Sequence, residues 1–346
     1  MSSIDTGLRE EQRGEGWAAN RMRTAVIKGS GIQLSRLGFG CVSLTTHERS
    51  RDALHLLHEA LDAGITHFDV ARLYGFGRAE GILGQFVRAV PRDRVSIATK
   101  FGLGPSAGLT SRPSLVRLGK AVVRSLPGLR SIALRTLRSV TPPPLYTVQN
   151  AMHSLETSLK ELGTDYVDLF LLHEAPLADA SAPDLLDYLE REVSAGRIRA
   201  YGVATHTSQL GSNLAAFPRG HAVFQFNNAA LDAEIGTLTG KAGRMLITHS
   251  ALAPLKLIRT AAERYEAVVR KWSTMIGVDL AEEPVATQLL LDYALQSNEH
   301  GVVLFSTMRG DHLRQNAQRV VSGRHSSEQI RLFREYCRLL IGQMAA

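Results

Sequence analysis

The sequence is poor in cysteine and has no long uninterrupted apolar run. Its 346 residues include two cysteines, Cys41 and Cys337, too few and too far apart for a disulfide framework or a thiolate metal site. No apolar run approaches the ~18–20 residues that a membrane-spanning helix needs. The opening residues, 1–16, are polar and mixed in charge where a secretory signal would be apolar. We therefore expect a cytoplasmic protein with no transmembrane segment and no bound metal.

Acidic residues are missing from 101–148, although the whole chain contains 33 of them. The formal net charge is +7, and this stretch holds seven basic residues, so the rest of the chain is balanced in charge. A uniformly basic face for nucleic acid is therefore not predicted. The seven basic residues are Arg112, Arg117, Lys120, Arg124, Arg130, Arg135 and Arg138.

Short β-branched or apolar runs alternate with amphipathic helical stretches along the chain. This alternation is typical of parallel strands joined by crossover helices, and eight such units predict an α/β fold of the TIM (β/α)8 barrel type. The predicted strands are 34–41, 65–71, 94–100, 166–173, 198–204, 222–227, 244–250 and 301–306. The predicted helices include 78–89, 149–162, 183–195, 208–217, 284–296 and 311–320.

Several segments lie outside these eight units. Residues 1–23 are a polar N-terminal tail, and 24–34 predict a hairpin that plugs the bottom of the barrel. The loop after the third strand, about 102–148, is far longer than the usual ~2–6-residue βα connection, and its apolar spacing predicts a long helical insertion. A second insertion is expected at about 253–281, helical around 261–272. Together with both insertions, residues 24–346 are expected to form a single barrel domain. Within the first insertion, the predicted helices are 114–126 and 129–140.

Catalytic residues of such barrels lie at the C-terminal ends of the strands or in the loops that follow. That rule selects Asp69 and Tyr74 after the second strand, Lys100 at the end of the third, and His173 at the end of the fourth. It also selects Gln225, His249 and Ser306 on later strands. The selected set contains an acid, a phenol, a cation and an imidazole.

At these positions the chain resembles the aldo/keto reductase family over most of residues 24–320. The stretch GITHFDVARLYGFGRAEGILG is similar to the family's Asp-x-Ala-x-x-Tyr-Gly pattern, with Asp69 and Tyr74 in the matching places. IATK supplies the family's lysine as Lys100, and LGTDYVDLFLLH supplies its histidine as His173.

The resemblance implies a reaction in which NADPH gives a hydride to an aldehyde or ketone while Tyr74 gives a proton to the developing alkoxide. A free tyrosine has a pKa of ~10, so a nearby ammonium, Lys100, is needed to favour the phenolate. The resemblance also implies that Asp69 pairs with Lys100 and that His173 orients the substrate oxygen. The implied partner is a small carbonyl or alcohol substrate, and the sequence carries no signal for an oligomeric state.

The nicotinamide end of the implied cofactor site departs from the family pattern. Where the family has Gly-Val-Ser-Asn after the fifth strand, this chain has Gly-Val-Ala-Thr, so one hydroxyl remains, on Thr205. Gln225 matches the family's glutamine. The family's Tyr-Ser-Pro-Leu is replaced by a sequence that begins with His249, whose imidazole can stack on the nicotinamide, and that keeps Ser250 and Leu252.

The nucleotide end is implied by STMRGDHLRQN, residues 306–316, which resembles the family's phosphate-binding loop and helix. The resemblance implies cofactor contacts from Ser306 and places Gln315 and Asn316 at the adenine. Arg309 is the cation nearest to a 2′-phosphate, and a preference for NADPH over NADH is expected.

Two alternatives stay open from the sequence alone. The chain could instead be a reductase-like cofactor-binding or regulatory subunit with little turnover, which the changes at Thr205 and His249 permit. The basic stretch within 102–148 could be a lid with solvated arginines, or it could attract an anionic substrate, an acidic partner or a membrane surface.

Overall fold

The structure is a computed structural model that describes residues 22–47, 49–104, 143–210, 214–232, 235–238, 240–323 and 325–345. It begins with an antiparallel hairpin of β1 (Thr24–Val26) and β2 (Gln33–Ser35). Eight further strands, all parallel, close into a barrel in which chain neighbours are hydrogen-bonded and the last strand pairs with the first. These strands are β3 (Leu37–Gly40), β4 (His67–Asp69), β5 (Ser96–Phe101), β6 (Val167–His173), β7 (Ile198–Ala204), β8 (His221–Asn227), β9 (Met245–His249) and β10 (Val302–Phe305).

The hairpin packs its apolar side chains against the inner face of the barrel. Ile27 and Ile32 flank its turn, are fully buried, and are joined by a hydrogen bond from Ile27 N to Ile32 O. They belong to one apolar cluster with barrel residues such as Leu169 and Ile247. The predicted barrel and its N-terminal hairpin are confirmed.

Helices surround the barrel, and longer ones such as α1 (Ser50–Asp62) and α3 (Val148–Leu162) bury apolar residues at helical spacing. Thr147 caps α3 by accepting a hydrogen bond from Asn150 N, and Gly163 ends it in the left-handed conformation. The helices are α1 (Ser50–Asp62), α2 (Arg78–Val87), α3 (Val148–Leu162), α4 (Leu177–Ala180), α5 (Pro183–Ser194), α6 (Thr207–Leu210), α7 (Leu255–Arg264), α8 (Glu266–Ile276), α9 (Glu283–Ser297), α10 (Gly310–Ser322) and α11 (Ser327–Ala345).

The largest differences from the sequence-based expectations lie in three helical segments. In place of one helix over 208–217, the described residues form the short α6 and a 3-10 turn, Leu214–Ala216. The helix predicted around 261–272 is interrupted at Tyr265, whose backbone is not helical, and becomes α7 and α8. The final helix α11, which the sequence analysis did not predict, packs with α7, α8 and α9 in a second apolar cluster.

Some expectations concern residues that lie outside the described ranges. They include residues 1–21 of the polar tail predicted over 1–23, the helices at 114–126 and 129–140, and the seven basic residues of the insertion. Within the described part of the chain, no group of three or more potential metal ligands comes together. None of the described helices combines the length and apolar character that a membrane span requires.

Candidate active site

A cavity of about 490 Å³ opens where the barrel strands end at their C-termini. It is bounded by residues from most of the barrel strands and from the loops after them, as expected for this fold. Ten of the thirteen residues predicted from the sequence line it: Asp69, Tyr74, Lys100, His173, Thr205, Gln225, His249, Ser250, Leu252 and Ser306.

Lys100 on β5 is buried and tied to the end of β4. Its Nζ donates to Asp69 Oδ1 at 2.7 Å, to Asp69 Oδ2 at 2.8 Å, and to the Val70 carbonyl oxygen at 3.0 Å. Burial lowers the pKa of Lys100, but the Asp69 carboxylate and Tyr74 raise it more, and the net shift is upward. Lys100 is therefore a charged ammonium at neutral pH, fixed by a two-oxygen contact.

Tyr74 starts the 3-10 turn Tyr74–Gly77 after β4, and Lys100 Nζ lies 5.1 Å from the centre of its ring. Burial raises the pKa of Tyr74, and the nearby Lys100 ammonium lowers it. Because burial is the larger effect, the net pKa lies above the ordinary value of 10.0. Lys100 therefore acts in the direction that the sequence argument assumed, yet the phenol stays protonated at neutral pH.

The turn that carries Tyr74 depends on a glycine. Gly75 has φ of 58°, and a Cβ there would lie 2.2 Å from Thr45 Cγ2. A larger residue would push the turn away from the 3-10 segment Cys41–Thr46 after β3. The glycine thus allows the chain to place the phenol beside Lys100.

His173 ends β6 with its ring edge-to-face with Tyr74, the ring centres being 6.3 Å apart and the planes 86° apart. Burial, followed by the charge of Lys100 and by His249, lowers the pKa of His173 to about 3. Its Nδ1 is buried and has no hydrogen-bond partner among the described residues. His173 is therefore a neutral imidazole, held close to a protonated phenol.

Backbone strain is concentrated at this cavity. Three residues other than glycine have positive φ in the described chain, namely Phe76 at 60°, Glu174 at 62° and Ser250 at 66°. Each follows a cavity residue, Tyr74, His173 or His249, by one or two positions. Such conformations cost of order 1 kcal/mol each and collect at functional sites.

Uncharged polar groups form the other side of the cavity, and one of them has no partner in the described part of the chain. Gln225 is 4% exposed, and its Oε1 lacks a hydrogen-bond partner among the described residues. Thr205 N donates to the Gln225 carbonyl oxygen at 2.8 Å, which holds the ends of β7 and β8 together. Burial lowers the pKa of His249 to about 4, and its Nδ1 lies 2.8 Å from Ser250 Oγ. These groups form a neutral polar wall.

Three predicted nucleotide-binding residues do not line the cavity. Arg309 precedes α10 and pairs through Nε with Asp311 Oδ1 at 3.0 Å and through a second nitrogen with Oδ2. On α10, Gln315 is exposed, whereas Asn316 is buried and accepts from an Arg319 nitrogen at 3.1 Å. These residues lie just before and on α10, the helix that follows β10.

The cavity also contains residues that the sequence analysis missed. Glu174 and His206 line it, and Val42 borders it from the turn after β3. Glu174 directly follows His173 in the chain, so its place after a strand could have identified it.

Comparison with known proteins gives a consistent assignment. Residues 36–217, more than half of the chain, match the model of the aldo/keto reductase family. A 6-dehydroglucose reductase of Novosphingobium aromaticivorans is 30% identical over 190 residues, covering 51% of this chain and 50% of that protein. A D-threo-aldose 1-dehydrogenase of a Pseudomonas species is 30% identical over 193 residues, covering 52% of this chain and 52% of that protein. The chain spans about half the length of these curated relatives.

A solved structure shares the overall fold. The aldo-keto reductase of Klebsiella pneumoniae in complex with NADPH superposes with a TM-score of 0.62 at 21% identity, covering 91% of this chain and 95% of that chain. Because the family model spans more than half of the sequence and the barrel matches, the chain belongs to the aldo/keto reductase family.

Proposed function

We propose that the protein is an NAD(P)H-dependent oxidoreductase that reduces an aldehyde or ketone to an alcohol, or that oxidises a sugar or secondary alcohol in the reverse direction. The observation that carries the proposal is the protonated phenol of Tyr74 beside the Lys100 ammonium, which Asp69 holds in place. Membership of the family supports it. So do the names of the two curated relatives, a sugar reductase and a sugar dehydrogenase.

The cavity wall fits a nicotinamide cofactor. The partnerless Oε1 of Gln225 is a buried acceptor suited to the N–H of a carboxamide, and leaving it unpaired would cost about 1–3 kcal/mol. Thr205 adds a hydroxyl, His249 adds a neutral ring that can stack, and Leu252 adds apolar surface. Ser250 and Ser306 supply further hydroxyls on the same wall.

A nicotinamide held against this wall would supply the hydride that reduces the carbonyl carbon. Tyr74 donates its phenolic proton to the carbonyl oxygen, and the Lys100 ammonium stabilises the phenolate that this leaves behind. Asp69 holds Lys100 in position, and water returns the proton to Tyr74 after the product leaves. His173, neutral and edge-to-face with Tyr74, donates a ring N–H to the same oxygen and orients it.

The proposal extends to a preference for NADPH over NADH. Arg309 is the cation close to the loop after β10, and it would contact a 2′-phosphate through charge-assisted hydrogen bonds. It must first leave Asp311, its present partner, so the margin between the two cofactors is small. Gln315 and Asn316 on α10 are proposed to face the adenine.

Oxidation of NADPH measured at 340 nm with a panel of aldehydes, ketones and sugars tests the proposed function. Turnover that Tyr74→Phe abolishes supports it. Tight cofactor binding without turnover of any carbonyl or alcohol would overturn it in favour of the reductase-like binding subunit.

A further inference from the structure

Glu174 occupies a strained position at the cavity wall. Its φ of 62° is one that glycine adopts far more easily, and it comes immediately after His173. Its side chain is 45% exposed and lines the cavity. Because strain of this kind persists where the surroundings enforce it, often at functional sites, the side chain needs a functional explanation.

The backbone on both sides of this residue is fixed. Glu174 N donates to the Ala204 carbonyl oxygen at 2.6 Å, which joins the ends of β6 and β7. The Tyr146 hydroxyl donates to the His173 carbonyl oxygen at 2.6 Å. The backbone of Glu174 therefore has a set position next to His173, whose imidazole is proposed to hold the substrate oxygen.

Glu174 is the lining carboxylate that has no lysine or arginine partner among the described residues. The other lining carboxylate, Asp69, is neutralised by Lys100. Burial is the main reason that the pKa values of His173 and His249 are lowered, to about 3 and about 4, so both rings are neutral. The ion pair that Glu174 makes is its long contact with His206.

The contact between Glu174 and His206 is weak. His206 Nε2 lies 3.9 Å from Glu174 Oε1, and its own side chain is 59% exposed. A contact of this length between exposed groups contributes little, so the carboxylate keeps acceptor capacity for a ligand. His206 supplies a ring nitrogen to the same space.

We propose that Glu174 is a specificity-determining residue that selects neutral, hydroxylated carbonyl compounds over carbonyl compounds that carry a carboxylate. The proposal rests on the proposed function. The carboxylate accepts a hydrogen bond from a substrate hydroxyl next to the reacting carbonyl, and it repels a second carboxylate in the same space. His206 contacts a further hydroxyl of the same substrate.

The test compares substrates of equal carbon count in wild type and in Glu174→Gln. We expect kcat/KM for succinate semialdehyde relative to butanal to rise about tenfold in the variant, because the like-charge repulsion is removed. Relative to propanal, kcat/KM for glyceraldehyde should fall severalfold, because hydrogen bonds to charged acceptors are the stronger ones. Glu156→Gln on α3, which removes an equal charge outside the cavity, should change neither ratio. If both ratios in Glu174→Gln stay within twofold of wild type, the proposal is wrong.

A binding measurement separates this proposal from the proposed function. Ligand-observed NMR on protein loaded with NADP⁺ measures the binding of xylitol and of succinate beside Glu174 without any turnover. If Glu174→Gln binds xylitol more weakly and succinate more tightly than wild type does, the proposal is supported, even where no aldehyde is reduced. The absence of aldehyde reduction would refute only the proposed function. Unchanged binding of both probes overturns the proposal, and turnover of aldehydes would then leave the function intact.

Discussion

Two ion pairs of similar geometry mark the two ends of the candidate site, and they differ in burial. The side chains of Lys100 and Asp69 are 2% and 3% exposed, whereas those of Arg309 and Asp311 are 64% and 43% exposed. Removing one partner of the buried pair strands a charge away from water. The exposed pair can exchange partners with little cost, because water solvates both groups. The first pair is therefore a fixed part of the proposed proton-transfer end, and the second is free to exchange partners with an anion of the proposed cofactor.

The largest expected effect is at the buried end. Tyr74→Phe removes the proton donor and should lower kcat/KM for carbonyl reduction by about 10²–10⁴-fold. Cofactor affinity, titrated by fluorescence, should change less than twofold, since the ring remains. Tyr188→Phe is the matched control, because it removes the hydroxyl of another buried tyrosine, on α5, that does not line the cavity. Retention of more than half of the wild-type rate in Tyr74→Phe would rule out Tyr74 as the acid.

Breaking the buried pair should cost stability as well as activity. Lys100→Met leaves the Asp69 carboxylate buried and unpaired, which is expected to lower the free energy of unfolding by about 3–5 kcal/mol. The double variant with Asp69→Asn should regain most of that stability without regaining activity. Urea denaturation measures both variants. Equal stability of Lys100→Met and wild type would show that the pair is not structurally important.

The pH profile should differ between the two directions of the reaction. The pKa of Tyr74 is raised above 10.0, so the phenol is protonated and ready to act as an acid throughout the neutral range. Reduction should therefore be flat from pH 6 to 9. Alcohol oxidation needs the phenolate, whose fraction rises about tenfold per pH unit below the pKa, so its rate should rise about a hundredfold from pH 7 to 9. A flat oxidation profile would exclude Tyr74 as the base.

The smallest effects are expected at the exposed pair. Arg309→Ala should raise the Kd of NADPH about tenfold at low salt and leave that of NADH unchanged, because only the 2′-phosphate contact is lost. Asp311→Asn should lower the Kd of NADPH about threefold, because it releases Arg309. Fluorescence titration of both cofactors measures these changes. Equal affinities in wild type, or no response to Arg309→Ala, would remove Arg309 from the cofactor site.

The buried end could be predicted from the sequence because each of its residues stands at a recognisable strand end. Lys100 pairs with Leu171 in the parallel register, which sets β5 beside β6 and brings Lys100 and His173 to the same edge. The sequence motif and the geometry of the barrel therefore both place Lys100 and His173 at the same end of the strands. The upward net shift in the pKa of Tyr74 was not predictable, because it depends on how much of the ring is buried.

The exposed pair of Arg309 and Asp311, and Glu174 at the cavity, were harder to predict. The resemblance implies that Arg309 lies near the 2′-phosphate of a cofactor, but the sequence does not show that Asp311 already pairs with Arg309. Its position after a strand could have pointed to Glu174, but its left-handed backbone and the hydrogen bond from its N to the Ala204 carbonyl oxygen are seen only in the folded chain. The neighbouring His173 is held by Tyr146, which reaches the end of β6 from the far side of the long insertion.

The two ends of the long insertion meet where Gly102 contacts Leu145 and Tyr146. The chain leaves the barrel at Gly102 and is back beside it at Leu145, whose N donates to the Gly102 carbonyl oxygen at 3.0 Å. Gly102 has φ of 103°, and a Cβ there would lie 2.2 Å from the Tyr146 ring, so the junction is closely fitted. The two ends of the insertion therefore lie side by side at the edge of the barrel. A short glycine-rich linker could join residues 104 and 143, and the contacts described above for Asp69, Lys100 and His173 would remain, because all of them are made by residues outside 105–142.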